Sequence, residues 1–244
     1  MDNNPRRNNI LAAQLRLKLD RTAPFRREDF LVSDSARAAV DLLDAWPNWR
    51  GGALALVGPP GSGKTHLASA WAERVGARVL TGARWTTAAL ADLEGAPVLL
   101  EDADRAGLEE PLFHLINMAA RPGGSLLVTA RTPPTAWPAP LPDLRSRLNA
   151  LPVAALTEPD DALLTALLDK FFRERNIRPP EDLLPYLVWR IERSAPQARE
   201  IVRRLDEKAD AEHRAISKAL AREILEAEAQ ADLALEGEAP KSGA

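Results

Sequence analysis

Apolar and polar positions along the 244-residue chain follow two different rhythms. In the first part, short strand-like segments at 54–57, 78–81, 97–100, 125–130 and 152–156 alternate with segments of helical period at 66–75, 85–93, 112–120 and 143–148. Such alternation predicts a parallel sheet covered by helices on both faces. A helix over 35–46, capped by Ser33 or Asp34 and ended by Pro47, precedes the first strand. Five prolines between Pro133 and Pro142 predict a stiff loop that cannot be helix or central strand. From Glu158 onward only the helical period remains, over 160–176, 180–193, 196–213 and 217–231. The expected divisions are an extended segment at 1–24, an α/β core at 25–157, a helical unit at 158–232 and a disordered tail at 233–244.

The first apolar run, Leu54 to Val57, leads into Gly58-Pro-Pro-Gly-Ser-Gly-Lys-Thr65, which satisfies G-x-x-x-x-G-K-[ST]. Gly58, Gly61 and Gly63 let the backbone around Ser62 curl so that successive N–H groups face one concavity and cradle phosphate oxygens. Lys64 then meets the β- and γ-phosphates, Thr65 offers a hydroxyl to Mg²⁺, and the helix that begins there adds the positive end of its dipole. These features predict binding of ATP or ADP. Downstream, Val98-Leu99-Leu100 runs into Glu101-Asp102, placing two acids at the carboxyl end of a strand, where ligands bind in parallel sheets. Glu101 and Asp102 are the expected Mg²⁺ and water-activating pair, with the longer acid first.

Composition narrows the function classes. The formal net charge is −3, without the cationic excess that sequence-independent nucleic-acid binding needs. Cysteine is absent, which excludes disulfides and thiolate metal sites and fits a reducing cytoplasm. His66, His114 and His213 lack ligand-like spacing. No apolar stretch approaches membrane-spanning length, so a cytoplasmic protein is expected. The six tryptophans are read as core or surface anchors. Ala13 to Leu19 alternates strictly between apolar and polar residues, which fits either an edge strand or an extended docking peptide.

The Gly-Lys-Thr-His-Leu phosphate loop, the acidic strand end, Pro142-Asp-Leu-Arg-Ser-Arg-Leu148 and Ala198-Arg-Glu200 together resemble the AAA+ module of the bacterial initiator DnaA, over roughly residues 25 to 230. The order of parts is similar to that of the DnaA-related AAA+ regulators of the Hda/HdaA family. These combine a clamp-binding peptide with one AAA+ module and lack the DNA-reading domain of full initiators. The resemblance implies a parallel core with a C-terminal helical lid, and a regulator that limits replication initiation by stimulating ATP hydrolysis on DnaA while attached to the sliding clamp. A self-sufficient ATPase motor and a passive DnaA-like adaptor are the alternatives. By the same resemblance Gln14, Leu15, Leu17 and Leu19 form the clamp motif, with Lys18 where proline is common. Arg147 corresponds to the arginine finger that acts in trans and Arg199 to the lid arginine near the nucleotide. Thr129 falls near the first sensor position, and Arg131 stands where a shorter polar residue is usual. Arg145, two residues from Arg147, is expected to face elsewhere on the same helix and to serve as a neutral comparison. DnaA and the clamp are the implied partners, with no membrane attachment, no sequence-specific DNA readout and room for homo-oligomers.

Overall fold

The computed structural model describes residues 27–80, 90, 92–105 and 107–237. The alternating segment at 13–19 and most of the helix expected over 85–93 lie outside them. Five strands, β1 (Ala53–Val57), β2 (Arg78–Leu80), β3 (Pro97–Leu100), β4 (Ser125–Ala130) and β5 (Val153–Ala155), form one sheet in the order β2-β3-β4-β1-β5. Every pairing is parallel. Helices α1 (Asp34–Asp44), α2 (Lys64–Val75), α3 (Glu109–Ala119) and α4 (Pro142–Ala150) cover it.

Because successive strand residues point to opposite faces, β1 feeds two cores at once. Ala53, Ala55 and Val57 join one that contains Leu112, Leu115 and Leu144 of α3 and α4, whereas Leu54 and Leu56 join another with Val40, Leu43, Leu67 and Trp71 of α1 and α2. Residues of β1, β3 and β4 are buried almost without exception, so these strands read as continuous apolar runs. Ser33 caps α1 by accepting from the Ala36 amide. In the second core Trp49 stacks on Trp71 at 5.2 Å, and Trp46 Nε1 donates to Ser125 Oγ.

The remaining helices, α5 (Asp161–Glu174), α6 (Leu183–Val188), α7 (Ala195–Ala211) and α8 (Lys218–Gly237), enclose a third core around Phe172, Leu187, Ile201 and Leu220. Two expectations change here. The helix foreseen over 180–193 contracts to six residues, because the amides of Arg190 and Ile191 both turn back to the Leu187 carbonyl. The last helix reaches Gly237, several residues into the segment expected to be disordered, since Leu, Ala and Glu at 233–236 are strong helix formers. One short strap joins the units: Phe30 and Val32 pack into the core under α1 and α2, while Leu31, between them, packs into the helical core. Lys170 of α5 reinforces it by donating to the Asp29 carbonyl at 2.8 Å.

Candidate functional site

Strand β1 delivers Gly58 to the sheet's carboxyl edge, where its amide donates to Ala130 O at the end of β4. The loop then rises to Gly63, the residue that precedes α2. Gly61 and Gly63 have φ values of +73° and +95°, and neither position has space for a side chain. A Cβ on Gly61 would lie 2.2 Å from Ser194 Cβ, just before α7, and one on Gly63 would lie 2.7 Å from Phe30 Cε2. The phosphate loop is thus enclosed by the helical unit on one side and by the strap on the other.

Lys64 Nζ donates to the carbonyls of Gly58 and Pro59, 2.7 Å each, so its charge rests on the loop's own oxygens. Burial, and then the guanidinium of Arg131, lower its pKa, while Asp102 and Asp104 act in the opposite sense. The side chain of Thr65 is hydrogen-bonded to Glu101. Glu101 is pushed above the usual carboxyl range by burial and then by neighbouring Asp102, against that hydrogen bond. Its Oε1 atom and Ser62 Oγ are buried without a hydrogen-bond partner among the described residues. Orphaned oxygens beside a glycine cradle suit a bound phosphate and cation, and Thr65 with Glu101 form the donor set that would hold Mg²⁺.

Asp102 is arranged differently. Its backbone sits at φ +53°, its amide donates to Thr129 Oγ1, and its carboxylate is ion-paired with Arg105 at 2.7 Å. Buried Thr129 therefore holds the turn after β3, while Asp104 accepts from the amides of Arg131 and Thr132 and fixes the chain leaving β4. The sequence does not announce these roles, because they depend on which strand ends become neighbours.

The structure brings Gly58, Gly61, Ser62, Gly63, Lys64, Thr65, Glu101 and Asp102 to one sheet edge. Arg199 lies on α7, paired with Glu174 at 3.2 Å and seated over the Phe171 ring. Arg147 is exposed on α4 with its guanidinium 5.4 Å from the Phe113 ring centre, and it pairs with no carboxylate among the described residues. Arg145 does face elsewhere, yet it is no neutral comparison. Its guanidinium donates to the carbonyls of Thr135 and Trp137, clamping the proline loop, which carries a single 3₁₀ turn at Pro134–Ala136.

No protein-family model matches the chain. Over 123 residues, 50% of this chain, it is 28% identical to the chromosomal replication initiator protein DnaA of Thermomicrobium roseum. That match spans 26% of the relative's length. The structure superposes on domain III of the Thermotoga maritima replication initiation protein DnaA with a TM-score of 0.67, at 18% identity, covering 82% of this chain and 94% of that one. The fold is that of an AAA+ module. The Holliday junction branch migration motor RuvB of Thermotoga maritima aligns nearly as well, with a TM-score of 0.66, 18% identity and coverage of 84% of this chain and 72% of that one. Within the AAA+ module, helices α5 to α8 are the lid. AMPPCP-bound DnaA from Aquifex aeolicus shares the fold at a TM-score of 0.61 and 17% identity, covering 75% of this chain and 65% of that one.

The position of Glu101 gives a test independent of nucleotide. Its folded pKa lies above the unfolded value, so ionisation costs stability once the pH rises past the unfolded value, and no cost remains below it. Glu101→Gln is therefore expected to raise the melting temperature of the nucleotide-free protein at about pH 7. The gain should stay within about 2 °C, because the carboxyl is partly solvated, and should fade by about pH 4. A gain of equal size at both pH values would refute this origin.

Proposed function

We propose that the chain is a DnaA-related AAA+ regulator of replication initiation that binds ATP or ADP between core and lid, docks on the sliding clamp, and stimulates ATP hydrolysis on DnaA. The observation that carries this reading is the contrast between its arginines. Arg145 is committed to loop carbonyls and Arg199 to a carboxylate, whereas Arg147 stands exposed beside the Phe113 ring with no carboxylate partner among the described residues. A planar fork in that state suits neutralising charge on a neighbouring protomer's triphosphate.

Toward its own nucleotide the module supplies amides and Lys64 for the phosphates. Thr65 and Glu101 would hold Mg²⁺, which when bound neutralises phosphate charge. Arg199 can reach the nucleotide only by leaving Glu174, and an ion pair this exposed offers little resistance, about 1 kcal/mol or less. Asp102, whose pair with Arg105 is equally exposed, would likewise have to be released to orient water, and with the longer acid first slow intrinsic hydrolysis is expected. The likeness to RuvB supports the competing reading of a self-sufficient motor. Turnover measurements separate the two: stimulation of DnaA-bound ATP hydrolysis only with clamp-loaded DNA supports the regulator, and rapid hydrolysis by this protein alone supports the motor.

Clamp docking is assigned to residues 14–19 as an extended peptide, with Gln14 hydrogen-bonding, Leu15 flanking it, and Leu17 and Leu19 filling an apolar pocket. Two buried leucines contribute on the order of 3 to 6 kcal/mol before ordering costs, consistent with micromolar affinity. The combined Gln14→Ala, Leu17→Ala and Leu19→Ala protein should lose clamp binding in surface plasmon resonance while keeping nucleotide affinity. Undiminished clamp binding would return the segment to the edge-strand reading.

A further inference from the structure

The lid displays an aromatic residue that its core does not use. Trp71 and Trp137 are each 2% exposed and Trp49 is 8% exposed, whereas Trp189, directly after α6, is 84% exposed. An indole is the largest apolar side chain, and leaving one in water forfeits burial that the neighbouring lid core could have supplied.

Two cations gather beside it. Tyr186 lies three residues earlier on the same helical surface. The Arg190 guanidinium sits 4.4 Å from the Tyr186 ring centre, and Lys218 Nζ, from the start of α8, sits 5.3 Å from it. Elsewhere on the lid, cations such as Arg175, Arg193 and Arg214 are bound to carboxylates. Arg190 and Lys218 have no such partner among the described residues. An exposed indole beside two uncompensated cations is the composition of a binding hot spot for an oppositely charged surface.

We infer that Trp189, Arg190 and Lys218 form a docking surface for an acidic segment of a protein partner, one that carries an apolar side chain to cover the indole. Charge complementarity selects the acidic partner. A single-stranded nucleic acid fits less well, because such sites stack successive bases on several aromatic faces along a basic track. Here the cations already occupy the Tyr186 ring, which leaves one free platform on a chain of net charge −3. The surface also lies close in sequence to the catalytic edge, since the loop from Trp189 leads within five residues to Ser194, packed on Gly61. The inference does not depend on which partner the finger arginine serves.

The test uses the full chain and a fluorescent synthetic peptide that interleaves leucine and phenylalanine with aspartate and glutamate, followed by anisotropy. Its comparisons are the same peptide with the acids replaced by their amides, and oligothymidylate. Saturable binding of the acidic peptide that weakens with salt is expected, with at least about a tenfold loss for Trp189→Ala. Trp189→Phe should retain most of the affinity, and Arg190→Glu combined with Lys218→Glu should abolish it. Each variant should keep wild-type nucleotide affinity and melting temperature, which separates loss of docking from loss of fold. The inference is overturned by absence of saturable binding to the acidic peptide, by equal affinity for the amide peptide, or by unchanged affinity in Trp189→Ala. Tighter Trp189-dependent binding of oligothymidylate would overturn it in favour of a nucleic-acid surface.

Discussion

Arg147→Ala is expected to abolish stimulation of ATP hydrolysis on DnaA, by a factor in the range of about 10³ to 10⁵, the contribution an arginine finger makes when supplied in trans. The side chain lies on the surface of α4 against Phe113 and supports no loop or ion pair among the described residues, so its removal should leave the melting temperature, nucleotide affinity and clamp binding unchanged. Arg145→Ala cannot serve as the matched control. Without its guanidinium the carbonyls of Thr135 and Trp137 lose their donors and the proline loop loosens beside α4. Arg222, which among the described residues forms only an exposed pair with Glu226 at 3.9 Å on α8, is the better comparison. The measurement is DnaA-bound ATP turnover with clamp on DNA, for wild type and for Arg147→Ala, Arg147→Lys and Arg222→Ala. Full stimulation by Arg147→Ala would remove the finger from this residue, and loss in Arg222→Ala would show that the effect is not specific to α4.

Lys64→Ala should weaken ADP and ATP binding by about 10- to 100-fold, the loss expected for one charge-assisted contact to a phosphate. The lysine is already positioned by the loop carbonyls it bridges, so nucleotide exchanges one set of oxygens for another without reordering a long side chain. Its pH behaviour carries a second signature. Only the protonated amine attracts phosphate, and burial with Arg131 has lowered its pKa. Wild-type affinity should therefore decline on the alkaline side earlier than an ordinary lysine would dictate, and this decline should be missing in Lys64→Ala. Calorimetric titrations across the alkaline range test both, and equal affinities for the two proteins would overturn the site.

Much of this architecture is legible in the chain because local rules and tertiary outcome agree. The run from Leu54 to Val57 is apolar at every position because both faces of β1 are covered, and Ser33 marks a helix start because its hydroxyl accepts a first-turn amide. The glycines of the phosphate loop announce close approach, but not that Ser194 and Phe30 are what approach. That knowledge requires the lid's placement, set by a core more than 100 residues further along the chain. The same limit applies to Arg145 and Arg147: two arginines on one short helix look interchangeable until the folded loop supplies carbonyls to one of them. Trp189 shows a further limit, for the sequence leaves its indole as either a core or a surface anchor, and only the packed lid reveals that it was left out.

Gly61 meets Ser194 where the loop and the lid share no empty space. That serine accepts the Gln197 amide and so belongs rigidly to α7, whose Ala198, Ile201, Val202 and Leu205 are buried in the lid core. The loop therefore cannot relax alone: widening its mouth displaces the serine, the serine carries α7, and α7 carries the bundle. On the proposed function, nucleotide exchange then requires a rigid-body swing of the whole lid, geared to a single tooth. On the same proposal, whatever presses on the lid from outside acts as a brake on that swing, and sets how long a bound nucleotide stays.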